Sequence, residues 1–252
     1  MNIYGFDKTS LLNYPEHVAA TVFTGGCNMR CPYCHNSELV LNPPADMRIP
    51  EEEVFAHLRK RRNVLTGLCI TGGEPTLQPD ICDFIIKVRA LGYKIKLDTN
   101  GLKPDVLKRL LCDGLLDYVA MDIKAGRDNY SRVSGMAGAE NAESAQRSEM
   151  ISTITESISL LVASGIEYEF RTTVVKGLHD RMDFADIKEW ISEIIHDQCS
   201  YRIPRYFLQA YVDRETVMDR LRDFGSFSKE ELEVYADILR PISEDVSVRG
   251  ID

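Results

Sequence analysis

The sequence predicts an α/β fold: a partial (β/α)6 TIM-like open barrel of parallel strands. Three observations carry this. Short apolar or alternating runs and amphipathic stretches take turns along the chain about six times, and such alternation implies a parallel sheet with right-handed crossovers. Six units fall two short of a closed eightfold barrel, with a flat doubly wound sheet as the alternative. The residues with distinctive chemistry all fall at the carboxyl ends of predicted strands, where ligands bind in either architecture.

Each element follows from local pattern. AATVF (19–23) is an apolar strand. Pro50 opens the helix EEEVFAHLRKRR, its preset φ suiting a first helical position. LCIT (68–71) is a short strand ending in Gly72-Gly73. Ile81, Phe84, Ile85, Val88 and Leu91 share one helical face, and Gly92 stops that helix. KIKLD (94–98) alternates as a strand, and Val106, Leu107, Leu110 and Leu111 mark a short helix before Gly114. DYVAMD (117–122) is a strand. Ile151, Ile154, Ile158, Leu161 and Val162 give an amphipathic helix closed by Gly165, and EYEFRTTVV (167–175) follows as a strand. Phe184, Ile187, Trp190, Ile191 and Ile194 form a helix, and YFLQA (206–210) is the last strand of the series. Ser228 with Glu231 makes a capping box for a final helix that Pro241 ends. The Ser-, Ala- and Gly-rich stretch 126–149 reads as a long polar loop on the same rim. One domain over 1–252 is expected, with a core at about 15–211 and an extension, a helix and a strand, at about 212–252.

Composition narrows the function. At about 150 residues per domain, 252 residues suit one large α/β domain or two small ones. Hydrophobic residues at 44% and charged residues at 27% are ordinary for a folded soluble protein. The net charge of −9 disfavours a general grip on nucleic acid. No apolar run is long enough for a transmembrane helix, and the charged, proline-containing start lacks a signal peptide's apolar core, so a cytosolic, cytoplasmic location is expected. Of seven cysteines, three crowd between positions 27 and 34; in a reducing compartment that suggests a metal rather than disulfides. Cys69, Cys82, Cys112 and Cys199 stand alone and read as small buried hydrophobes.

The crowded segment runs Gly25-Gly26-Cys27-Asn28-Met29-Arg30-Cys31-Pro32-Tyr33-Cys34-His35-Asn36, a C-x3-C-x2-C spacing with no fourth cysteine nearby. Four thiolates saturate an electron-carrying cluster; three on a 4Fe-4S cubane leave one iron open to a ligand. Zinc held by Cys27, Cys31, Cys34 and His35 is the competing reading, although zinc ligands usually come as two separated pairs. The loop resembles the signature of radical S-adenosylmethionine (radical SAM) enzymes, with Tyr33 at the aromatic position. Thr71-Gly72-Gly73-Glu74-Pro75 is similar to that family's glycine-glycine-glutamate motif. Asp98-Thr99-Asn100-Gly101 and Met121-Asp122-Ile123-Lys124 are similar to segments of glycyl-radical-enzyme activating proteins, pyruvate formate-lyase activase among them. The opening 34 or so residues most resemble the activating proteins of anaerobic ribonucleoside-triphosphate reductase.

The resemblance implies an oxidoreductase with one 4Fe-4S iron-sulfur cluster on Cys27, Cys31 and Cys34. It implies reductive cleavage of S-adenosyl-L-methionine to methionine and a 5′-deoxyadenosyl radical. Gly72 and Gly73 would let backbone approach the ligand, and a backbone carbonyl or Glu74 would accept from the methionyl amine. Tyr33 and His35 would touch the adenine, Asn100 and Asp122 the ribose hydroxyls. Lys124 would neutralise the methionyl carboxylate or Asp122. Arg171, Gln209 and Tyr211 are weaker candidates for the methionine end. No catalytic residue is expected beyond these ligands. The implied partners are a glycyl radical enzyme, with anaerobic ribonucleotide reductase favoured, and a low-potential donor such as flavodoxin or ferredoxin; no membrane is implied. The bland readings are that Asn100-Gly101 is only a turn and that Asp122 and Lys124 are an ordinary ion pair. Alternatives for the whole chain are a radical SAM enzyme acting on a small molecule or an RNA base, and a non-enzymatic iron or zinc redox sensor.

Overall fold

The computed structural model describes residues 1–41, 43–136, 144–198, 200–219, 221 and 224–251. Its sheet has eight strands in chain order: β1 (Ile3–Ser10), β2 (Ala19–Thr24), β3 (Gly67–Gly72), β4 (Lys94–Thr99), β5 (Tyr118–Asp122), β6 (Glu167–Val174), β7 (Ile203–Ala210) and β8 (Ser243–Arg249). The order does not close on itself. β1 runs antiparallel to β2, while the β2–β3, β3–β4, β6–β7 and β7–β8 pairs are parallel. The fold is therefore α/β with a mostly parallel, open sheet, as expected of a partial barrel. The six expected strands are β2 to β7; β8 is the strand of the C-terminal extension, and β1 is an addition. By contacts the chain falls into two compact units.

The first unit comprises Met1–Asn28, Asn36–Thr99 and Asp105–Ala120. β2, β3 and β4 are in simple register: Ala19 opposes Gly67, Thr24 opposes Gly72, and Ile70 opposes Leu97, whereas the β1–β2 pairing shifts between Ile3 and Gly5 and between Asp7 and Ser10. α1 (Ser37–Val40), α2 (Glu51–Lys60) and α3 (Ile81–Arg89) belong to it, as does most of α4 (Pro104–Cys112). α2 buries Val54, Phe55 and Leu58, and α3 buries Ile81, Phe84, Ile85 and Val88, as the helical period requires. Gly92 and Gly114 follow α3 and α4 with φ of 92° and 63°, the left-handed turn that ends a helix at little cost for glycine. Pro50 is not the first helical residue: it caps α2 with an extended ψ of 137°. Three glutamates in the first turn then face the positive end of the helix dipole.

The second unit comprises Met29–His35, Asn100–Pro104 and Met121–Asp252. β6, β7 and β8 align Thr172 with Leu208 and Leu208 with Val248. α5 (Tyr130–Val133), α6 (Ser144–Ser164), α7 (Arg181–Asp197) and α8 (Lys229–Leu239) complete it. The 126–149 stretch is only partly a loop, because α5 and the first turns of α6 lie within it; residues 137–143 fall outside the described residues. The capping box of Ser228 and Glu231 forms as expected, and Asp180 with Asp183 makes a second one at α7. Trp190 packs edge-on against Tyr130 at 6.1 Å and donates to Thr155 Oγ1 at 2.9 Å, so its buried indole N–H is satisfied.

Of the isolated cysteines, Cys69 is buried as expected, but Cys82 is half-buried and Cys112 exposed; both sit on short helices whose apolar faces are made by other residues. Cys199 lies outside the described residues. No described helix is long and apolar enough to cross a membrane.

Candidate functional site

In the first unit the candidate residues lie at the ends of β2 and β3. Cys27 is half-buried after the Gly25-Gly26 pair, and Gly26 has φ of 84°. Gly72, at the end of β3, has φ of 115°, and a Cβ there would lie 2.4 Å from Thr24 N. A Cβ on Gly73 would lie 2.0 Å from the Gly26 carbonyl oxygen. Gly73 N–H donates to Thr24 O and Glu74 N–H to Gly26 O, each at 2.8 Å. Both glycines are thus required by backbone packed on backbone, which stitches the turn after β3 to the segment leading into Cys27.

Glu74 is buried, and its Oε1 accepts from Thr76 N at 3.0 Å, Thr76 Oγ1 at 2.6 Å and Thr99 Oγ1 at 2.8 Å. Oε1 ties the end of β3 to the end of β4 through these three donors.

In the second unit Cys31 is buried and Cys34 half-buried, joined by a turn in which Cys34 N–H donates to Cys31 O at 3.0 Å. Three distant segments hold this turn. Arg30 N–H donates to Ser134 O at 2.9 Å, and a Cβ on Gly135 would lie 1.9 Å from Arg30 O. Met218 N–H donates to Cys34 O at 3.1 Å and Asp219 N–H to Pro32 O at 2.9 Å. His35 stacks on Tyr211 with ring centroids 5.5 Å apart. The C-terminal extension, on which the sequence says least, therefore braces the cysteine turn.

Tyr33 is buried, and its hydroxyl has no hydrogen-bond partner; the same holds for His35 Nε2. Burial and then the charge of Cys31 push the Tyr33 hydroxyl pKa well up. Burial pushes the His35 imidazole down, so the neutral ring is favoured. Asp122, at the end of β5, meets Lys124 Nζ at 2.9 Å and Arg171 Nε at 2.9 Å. Burial pushes the Asp122 carboxyl up, but Arg171 and Lys124 outweigh it and hold the group at about 2. Asp122 likewise outweighs the burial of Lys124 and holds its ammonium well above the usual lysine range. The expected ion pair is thus real, and Arg171 joins it. Asn100 is buried, its Oδ1 accepting from Leu102 N at 3.0 Å before Gly101 at φ of 78°, which is the turn reading. Tyr211 is buried and donates to Asp213 Oδ1 at 3.0 Å, whereas Gln209 is exposed. One residue that sequence reasoning passed over stands among these: His179, buried, within 6.3 Å of the Tyr33 ring centre.

These features fit the implied cofactors. Cys27, Cys31 and Cys34 are present as thiols within eight chain positions, a donor set suited to iron and sulfide. The Tyr33 hydroxyl and His35 Nε2 are buried polar atoms awaiting a partner, and such atoms are rare unless a ligand or water serves them. Among the described residues no three His, Cys, Asp or Glu side chains close on one point as a single ion needs; cluster ligands each take a different iron.

Comparison with known proteins agrees. A Methanocaldococcus jannaschii protein, provisionally named a glycyl-radical enzyme activating enzyme, is 29% identical over 251 residues, covering 99% of this chain and 96% of that one. PqqA peptide cyclase of Methylorubrum populi is 30% identical over 77% of this chain, which spans 48% of the cyclase. Streptococcus suis SuiB shares the fold: with S-adenosylmethionine bound, its crystal structure gives a TM-score of 0.62 at 14% identity over 90% of this chain and 49% of SuiB. With the precursor peptide SuiA bound the TM-score is again 0.62, over 95% of this chain and half of SuiB. The family model described as Radical SAM superfamily matches residues 21–191. Its span, well over half of the chain, carries the cysteine turn, the glycine pair and the Asp122–Lys124 pair together: this chain belongs to the radical SAM superfamily, whose members use a 4Fe-4S cluster and S-adenosylmethionine.

Proposed function

We propose that this radical SAM enzyme acts as one domain to generate a glycyl radical on a partner enzyme, with anaerobic ribonucleoside-triphosphate reductase as the favoured partner. The observation that carries this is the match to the M. jannaschii protein, which runs through nearly all of both chains. Cys27, Cys31 and Cys34 would hold a single cluster. When bound, that cluster supplies one electron to S-adenosylmethionine, and the hydrogen taken from the glycine α-carbon leaves in 5′-deoxyadenosine.

The chain's own residues bind and orient. Lys124 is a fixed cation for the methionyl carboxylate, and Asp122, held ionised by Arg171 and Lys124, is an acceptor for a ribose hydroxyl. Tyr33 and His35 offer aromatic faces and the two partnerless polar atoms to the adenine. A backbone carbonyl at Gly72 or Gly73, or the Glu74 carboxylate, accepts from the amine; Thr76 and Thr99 hold Glu74 Oε1, and Asn36 Nδ2 donates to Gly72 O at 3.2 Å. Asn100 contributes from the turn after β4. A low-potential flavodoxin or ferredoxin would supply the electron.

The test mixes dithionite-reduced protein, S-adenosylmethionine and the candidate reductase without oxygen. A glycyl radical signal by electron paramagnetic resonance is expected on the reductase; its absence, with 5′-deoxyadenosine still formed, removes the assignment of partner. A peptide substrate is the second reading, favoured by the PqqA peptide cyclase and SuiB likenesses. It predicts a mass change on a peptide and no lasting radical.

A further inference from the structure

We propose that His179 is a positioning residue: its ring fixes the backbone of Lys124 and the ring of Tyr33. The proposal rests on the reading of Asp122 and Lys124 as S-adenosylmethionine contacts. His179 is 4% exposed. Val175 N–H donates to its Nδ1 at 3.0 Å. A nitrogen that accepts carries no proton, so Nε2 holds the hydrogen of a neutral ring. Nε2 lies 2.8 Å from the Lys124 carbonyl oxygen, to which it therefore donates.

The ring is thus a two-ended strut. One end grips the segment just after β6, and the other grips the segment just after β5. Lys124 then extends its ammonium to Asp122 Oδ2, while Arg171 from β6 reaches Oδ1 of the same carboxylate. The pair is fixed twice, by charge through Arg171 and by backbone through His179. The outer edge of the ring meets Tyr33 with centroids 6.3 Å apart and planes at 72°, the edge-to-face arrangement that aromatic pairs favour. Asn129 and Arg132 both donate to Leu178 O, at 2.8 and 2.7 Å. The turn that carries His179 is therefore itself anchored, which holds the ring in place beside the Lys124 carbonyl.

The two ends can be separated chemically. His179→Gln places an amide N–H near the position of Nε2 and keeps the bond to Lys124 O. His179→Asn places an acceptor near Nδ1 and keeps only the bond from Val175. His179→Phe keeps ring packing on Tyr33 and neither bond. Anoxically reconstituted full-length variants would be assayed for uncoupled S-adenosylmethionine cleavage under dithionite, with Lys124→Ala alongside. Hydrogen exchange of the Val175 amide in the cluster-free chain gives a readout independent of activity.

Loss of the donor to the half-buried Lys124 carbonyl weakens the site by up to about tenfold in equilibrium. His179→Asn and His179→Phe are therefore expected to raise KM for S-adenosylmethionine about tenfold with kcat within about twofold. His179→Gln should stay within about threefold of wild type in KM. Val175 should exchange faster in the Phe variant than in the Asn variant. A KM unchanged in all three, or raised equally in Gln and Asn, overturns the role of the Nε2 bond. If Lys124→Ala leaves KM unchanged, the site reading beneath the proposal fails; if it raises KM while His179→Asn does not, the proposal alone fails. Should the Phe variant not fold, the Gln and Asn pair still decides.

Discussion

Gly73→Ala gives the sharpest test of how the motif after β3 is built. The new Cβ would lie 2.0 Å from Gly26 O and 2.8 Å from Gly26 C. Both are backbone atoms, so no rotamer change relieves the clash, and one of the two strand ends must move. That movement stretches the Gly73 N–H to Thr24 O and Glu74 N–H to Gly26 O bonds, both 2.8 Å long. Each net hydrogen bond is worth about 1 kcal/mol, and overpacking a tight contact costs about 1–3 kcal/mol. The expected loss is about 3–5 kcal/mol, or roughly 10 °C in Tm for a chain of this size. Gly92→Ala is the control: its φ is 92° but its Cβ would meet nothing within 4 Å, so only backbone strain of about 1–2 kcal/mol applies. The assay is thermal unfolding of the cluster-free, reduced chain by circular dichroism. A Gly73→Ala loss no larger than that of Gly92→Ala would refute the argument that backbone contact sets this position.

Further expectations follow from the same geometry. Thr99→Val removes one of the donors on Glu74 Oε1 and should cost about 1–2 kcal/mol by chemical denaturation; no change would mean that this tie is slack. Asp122 has a lowered pKa, so its contribution is present above the ordinary aspartate range and fades as pH falls through about 2. Asp122→Asn should therefore destabilise the chain between pH 5 and 8, by about 1 kcal/mol given solvent screening. The gap from wild type should close as pH drops from about 4 toward 2; a gap that persists into that range contradicts the ion-pair account. Exposed Cys112 should react with a thiol reagent at least about tenfold faster than buried Cys69 in the folded cluster-free chain, and equal rates would place one of them wrongly.

Much of this molecule is written in local pattern. The strands β2 to β7 are apolar or alternating runs, β3 and β4 closed by glycine, and the helices bury most of the residues that their period selects. β1 is hidden because it is an edge strand: Asp7, Lys8 and Thr9 are exposed on it, the charged and polar surface that edges use against unwanted pairing. The start of α6 is hidden because Ser, Ala, Gln and Arg carry no apolar stripe there. At the site, cysteine spacing and the glycine pair are legible since their meaning is local. The true partners of Glu74 include Thr99, 25 positions on, and those of His179 include Lys124, 55 positions back. A hydrogen bond to a distant hydroxyl or backbone carbonyl leaves no periodic or compositional trace. The bracing of Cys34 and Pro32 by Met218 and Asp219 is of the same kind, joining main-chain atoms whose residue types are almost irrelevant.

The most direct measurement is the electron paramagnetic resonance spectrum of anoxically reconstituted, dithionite-reduced protein before and after S-adenosylmethionine is added, beside Cys31→Ala. A reduced-cluster signal that changes on addition, and that is lost in the variant, is the predicted result. A silent spectrum in the native chain, or one that ignores S-adenosylmethionine, would contradict a cubane held by Cys27, Cys31 and Cys34 with one iron left for the nucleoside.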